Sequence, residues 1–136
     1  AAISADLELV LVLGDERLIP VAATLTYSVA EPFAVSALFR TTDGDINWVF
    51  ARELLDEGLT ASVGEGDVVI WPAHDDAGET VCISLCSPGG NALLEADAHD
   101  LRQFLDASYQ LVGRGQESDH VDVDEFLSEL FSVEER

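Results

Sequence analysis

Lysine is missing from this chain, and so is methionine. Only six of its 136 residues are basic, and all six are arginines. Arg17, Arg40, Arg52, Arg102, Arg114 and Arg136 stand singly along the sequence. A surface that follows phosphates needs clustered Lys and Arg to displace counterions. Nucleic acid and anionic membrane are therefore poor partners. Long hydrophobic runs are absent too, and none approaches the roughly 20 residues that span a bilayer, so direct membrane insertion is not expected. There is no basic leader followed by an apolar stretch at Ala1. The missing methionine suggests a trimmed start, and residues 1–4 are given no structural weight. Two cysteines, Cys82 and Cys86, lie four apart in a β-rich stretch. On a strand they would sit about 13 Å apart, at ~3.3 Å per residue, too far for a disulfide. Two small buried thiols in a reducing, cytoplasmic setting are expected.

Reactive constellations are equally scarce. His74, His99 and His120 are isolated, with no Cys-x-x-Cys and no paired histidines. Asp122-x-Asp124 opens like a calcium loop, but Leu127 replaces the glycine and Phe126 and Val133 occupy ligand positions. Gly64-x-Gly66 precedes a strand and is flanked by acids, so it cannot cradle phosphate in the usual way. No Gly-x-Ser-x-Gly elbow is present. Asp75-Asp76 reads as a solvated loop pair, and neither Ser84 nor Ser87 has a histidine nearby in sequence. No catalytic, cofactor or metal site is assigned, and an enzyme is not expected.

What is present is acid and β pattern. The 27 acidic residues give a formal charge of −21, which implies a self-repelling surface or an acidic face for a basic partner patch. Apolar residues make up 48%, enough for one globular domain of this length. Residues 6–13 alternate, with Leu7, Leu9, Leu11 and Leu13 on one face. Val21, Ala23, Leu25 and Tyr27 line the next strand, entered at Pro20. Phe33, Val35, Ala37 and Phe39 line a third, and Asp43-Gly44 is a hairpin signal.

The stretch 46–59 organises the chain. Ile46, Trp48 and Phe50 alternate as a strand, then helix formers run from Ala51 to a stop at Gly58. Trp48 and Phe50 are the expected core anchors, each able to bury roughly 150–250 Å². Truncating Trp48 is expected to cost roughly 3–5 kcal/mol. Leu54 and Leu55 face the core, while Arg52, Glu53, Asp56 and Glu57 are placed near water. A shorter cycle follows. Residues 64–67 break the chain, 68–71 form a strand ended by Pro72, and strands at 80–86 and 91–96 lead to a helix from Ala98 to about Val112. Asp97 is its expected cap, and Leu101, Leu105, Ser108 and Val112 form its stripe.

Four strands and a helix, then three strands and a helix, predict an α+β fold. It has two packed antiparallel sheets of about seven strands and about three helices, in one domain over 1–136. Residues 5–112 hold the strands and two helices, 113–121 are a linker, and 122–134 form a C-terminal amphipathic helix. Its stripe of Val123, Phe126, Leu127, Leu130 and Phe131 is a possible interface. More apolar faces than two short helices can cover suggest an oligomer.

Trp48-x-Phe50-Ala51-Arg52-x-Leu54-Leu55-x-x-Gly58-Leu59, then Gly64-x-Gly66-Asp67-Val68 and Trp71-Pro72, resemble the SsgA-like proteins of spore-forming actinobacteria, most closely the SsgB type. Pro32-Phe33-Ala34-Val35 and Ser87-Pro88-x-Gly90 extend the likeness over about residues 7–130. The resemblance implies a whirly-like fold, a homotrimer, and a non-enzymatic role in sporulation-specific division. It implies help in positioning FtsZ, together with another family member, at the division septum. Relatives of the whirly fold bind single-stranded nucleic acid, an activity the charge of −21 disfavours.

Overall fold

The structure is a computed structural model that describes residues 1–14, 17–75 and 78–120. The expected helix at 122–134 therefore lies outside the described residues. Among those described, eight strands form one antiparallel sheet: β1 (Ala2–Val12), β2 (Leu18–Ser28), β3 (Ala34–Thr41), β4 (Gly44–Ala51), β5 (Val63–Glu65), β6 (Val68–Asp75), β7 (Gly78–Ser87) and β8 (Gly90–Asp97). Two helices, α1 (Arg52–Gly58) and α2 (Ala98–Leu111), follow β4 and β8, and a 3₁₀ turn spans Glu117–His120.

The strand order is β4-β3-β2-β1-β8-β7-β6-β5. This corrects the expectation of two separate sheets with seven strands. Each half is a local meander, as the short turns dictate, but β1 and β8 join them through a narrow ladder. Only Val10, Leu11 and Val12 pair across it, with Glu95, Leu94 and Leu93. The sheet curls so that both halves face one interior. Leu9, Leu25, Phe39 and Phe50 of the first half meet Ile83 of the second and Leu101 of α2 around one small void.

Alternation places the inner faces as anticipated: Val21, Ala23, Leu25 and Tyr27 of β2 and Val35, Ala37 and Phe39 of β3 are all buried. On α2, Leu101, Phe104, Leu105 and Ser108 turn inward, and the Asp97 carboxylate accepts a hydrogen bond from the Asp100 amide at 3.0 Å. Such a cap satisfies one of the free amides of the first turn.

Several local expectations need correction. Ala2, Ile3 and Ser4 are paired with Ser28, Tyr27 and Thr26, so the first residues carry structure. The unexpected strand β5 pairs with β6 through a tight turn at Gly66-Asp67, where Gly66 has φ +60°. A three-residue strand beside two glycines gives almost no periodic signal. Pro72 does not end β6, which runs on to Asp75. Its pairing with β5 stops at Ile70, opposite Val63, leaving that flank free where a missing N–H costs nothing. Cys82 is buried but Cys86, at the end of β7, is exposed.

Candidate functional site

The sequence places four charged residues of α1 near water: Arg52, Glu53, Asp56 and Glu57. Two of them are inside. Arg52 is only 1% exposed, and Asp56 is also buried. They sit four apart, on the face that meets α2, so they stack along one side of the helix.

The Arg52 guanidinium closes the far end of α2. Its Nη1 donates to the carbonyls of Ser108 at 3.2 Å and Val112 at 2.8 Å. The last turn of α2 has no basic residue of its own, so α1 supplies the cation that the negative helix terminus favours. The guanidinium carbon lies 4.7 Å from the Tyr27 ring centre and 4.2 Å from that of Tyr109. The Nε and Nη2 protons have no aligned oxygen acceptor, and the two ring faces provide cation–π compensation instead. Glu117 balances the charge, with its Oε2 3.2 Å from Nη2. Its own backbone amide lowers the Glu117 pKa, and Arg52 adds to that against the effect of burial. Burial raises the Tyr27 pKa, the Arg52 charge opposes it and Glu117 reinforces it.

Asp56 anchors the second half of the network. Its Oδ1 accepts from Arg102 Nη2 at 2.7 Å and its Oδ2 from the Tyr109 hydroxyl at 2.9 Å. Arg114 Nη1 lies 2.5 Å from Oδ2. Burial alone pushes this carboxyl up, but the hydrogen bonds and both guanidinium charges outweigh it, and the net pKa is lowered. Tyr109 is driven the other way, to about 12, by burial and by the adjacent carboxylate. Three of the six arginines thus converge on this region, although they stand far apart in the sequence. The network ties α1 to α2 and to the segment after it. It is a structural clamp, with its ionic groups spent on one another.

Gly58 completes α1, and not as the left-handed stop expected. A Cβ there would lie 2.2 Å from Ile70 Cγ2 and 2.8 Å from Ile70 Cβ. Glycine is needed because α1 crosses onto β6.

The other motif residues serve the same scaffold. Phe50, Leu54 and Leu55 are in the core. The Asp67 carbonyl accepts from the Cys86 amide at 2.9 Å. Trp71 is half-buried and Pro72 exposed. Trp48 is also only half-buried, stacked on Phe50 with ring centres 6.4 Å apart. The expected anchor is misjudged because β4 is the last strand of the sheet. Alternation reports which face a residue takes, and not how far from the edge it lies. Phe126, Leu127, Leu130 and Phe131 fall outside the described residues.

The exposed surface with most to offer is that edge. No described strand pairs with the free side of β4. On its outward face Val49 is 58% exposed, and on its core-facing side Ile46 is 49% exposed. Phe33, just before β3, is 56% exposed. An apolar edge without Lys or Pro is a template for another chain. Among the described residues there is no cluster of three metal-binding side chains and no helix long and apolar enough to cross a membrane.

Comparison with known proteins fits this picture. Residues 21–117 match the family model described as the Streptomyces sporulation and cell division protein SsgA. The chain is 42% identical over 132 residues to the sporulation-specific cell division protein SsgB of Thermobifida fusca, covering 96% of each. It is 44% identical over 131 residues to the protein of the same name from Streptomyces coelicolor, again covering 96% of each. The crystal structure of an SsgA-like sporulation-specific cell division protein from Thermobifida fusca superposes with a TM-score of 0.87 at 42% identity, covering 95% of each chain.

Proposed function

The chain belongs to the SsgA family of sporulation and cell division proteins, and from that membership we propose that it is a non-enzymatic adaptor in sporulation-specific division. It helps to position FtsZ and the septum through protein–protein contacts, on the cytoplasmic side, with FtsZ or another family member as its direct partner. It works as a homo-oligomer, with a trimer as the expected state.

The observation that carries this reading is the open β4 edge, with its unpaired backbone and the outward Val49. Backbone hydrogen bonds there would give affinity, and alternate side chains specificity. The surrounding acids favour a partner segment that is neutral or basic.

The test is co-sedimentation and pull-down at low salt with purified FtsZ and with a second family member. The unaltered chain should bind at least one, and Val49→Lys should weaken that complex at least tenfold. Absence of any complex with either partner would overturn the reading, as would equal binding by the variant. Micromolar capture of single-stranded DNA, weakening steeply with salt, would favour a nucleic-acid role instead. Light scattering that shows a monomer at tens of micromolar would remove the oligomer.

A further inference from the structure

The core-facing side of the β4 edge presents an apolar strip that neither described helix covers. Ile46 and Trp48 lie on it by alternation with buried Phe50. Phe33 continues it, since the Phe33 carbonyl accepts from the Arg52 amide just beyond the Ala34–Ala51 pair. From Ile46 to Phe50 the strip runs about 14 Å, at ~3.4 Å per residue. A run of large apolar side chains on one side of an edge strand is a surface that something normally covers.

The described chain ends beside it. Glu117 and Ser118 of the 3₁₀ turn line a cavity of about 380 Å³ together with Phe33, Ala51 and Tyr109. Ion pairs hold this segment there, Arg114 to Asp56 and Glu117 to Arg52. Only Val121 and Asp122 separate His120 from Val123, where the amphipathic stripe begins. Three residue steps reach at most about 11 Å, so the stripe must begin within that distance of the 3₁₀ turn. As a helix, 123–131 would be about 12 Å long, at 1.5 Å per residue, close to the length of the strip. Its other face carries Asp124, Glu125 and Glu129, which suits a helix with one side in water.

We propose that the C-terminal segment 122–134 of this chain docks as a helix on its own β3–β4 edge, laying Phe126, Leu127, Leu130 and Phe131 over Phe33, Trp48 and Ile46. The short tether makes this an intramolecular event at high effective concentration. It uses the core-facing side of β4, whereas the partner reading uses the outward side, so each can fail without the other.

The experiment uses the full chain in a Cys82→Ala, Cys86→Ser background carrying Ile46→Cys and Leu130→Cys. Oxidation at low micromolar concentration should give an intrachain disulfide, seen as a monomer whose yield does not change on tenfold dilution. A covalent dimer whose yield falls on dilution would overturn the proposal in favour of a second copy's segment. No cross-link at all would also overturn it. A second measurement covers loss of folding in that variant. In Trp71→Phe, where Trp48 is the sole tryptophan, Leu127→Ser with Leu130→Ser should shift emission to longer wavelength and speed amide exchange in β3 and β4. Unchanged emission and exchange in a folded variant would count against docking.

Discussion

The two ends of the sheet are built differently. One ends in β5, three residues long, and α1 crosses onto its neighbour β6 through the Gly58–Ile70 contact. The other ends in β4, eight residues long, with Ile46 and Val49 exposed. Shortening an edge strand and covering its neighbour are ways of preventing unwanted pairing. They are applied at one end and withheld at the other. The same sequence that builds β4 turns directly into α1, so the helix leaves the edge that launched it and seals the opposite one. The clamp and the closed end are thus protected against further pairing, and the open end is left free for it.

Four substitutions can break or sharpen that contrast. Arg52→Ala should cost most, roughly 3–5 kcal/mol, because it strips a buried cation from Glu117 and from the α2 carbonyls; urea unfolding measures this. A loss near zero would mean that the clamp is ornamental. Asp56→Asn should cost roughly 2–3 kcal/mol at neutral pH, since a charged acceptor of several hydrogen bonds is lost. Because the folded-state pKa of Asp56 is lowered, its contribution is complete above the ordinary carboxylate range. It disappears as pH falls through the lowered value. Urea midpoints from about pH 7 to about pH 3 should converge for Asp56→Asn and the unaltered chain at the acid end.

Gly58→Ala should destabilise by roughly 1–3 kcal/mol despite a better helix propensity, because Ile70 Cβ cannot move aside like a flexible tip. If it stabilises instead, α1 does not seal the closed end as described. The smallest effect belongs to the open end. Val49→Lys should change stability by no more than about 0.5 kcal/mol, as for an ordinary surface site. A large loss would show that β4 is not an open edge.

Much of the local structure was legible in the sequence, because it rests on near neighbours. The inward faces of β2 and β3, the stripe of α2 and the Asp97 cap follow from spacing alone. The single sheet was not legible, since residues 10–12 meet 93–95 only after everything between has folded. Charge alone puts Arg52 and Asp56 in water, where such side chains usually are. The available signal was their spacing of four on a short helix, which puts both on one side. Alternation overweights Trp48, because pattern cannot distinguish an edge strand from a central one. The clamp partners Arg102, Tyr109, Arg114 and Glu117 carried no signal, each being ordinary in its own neighbourhood.

The three-pair ladder between β1 and β8 has a kinetic consequence. So few backbone bonds cannot hold two independent halves together, and neither half can bury its inner face without the other. Cooperativity therefore comes from the shared interior, and the chain should unfold in one transition. Refolding must close a loop of more than eighty residues before that interior is complete. Such distant closure places the protein among slow β folders, in the range of milliseconds to seconds.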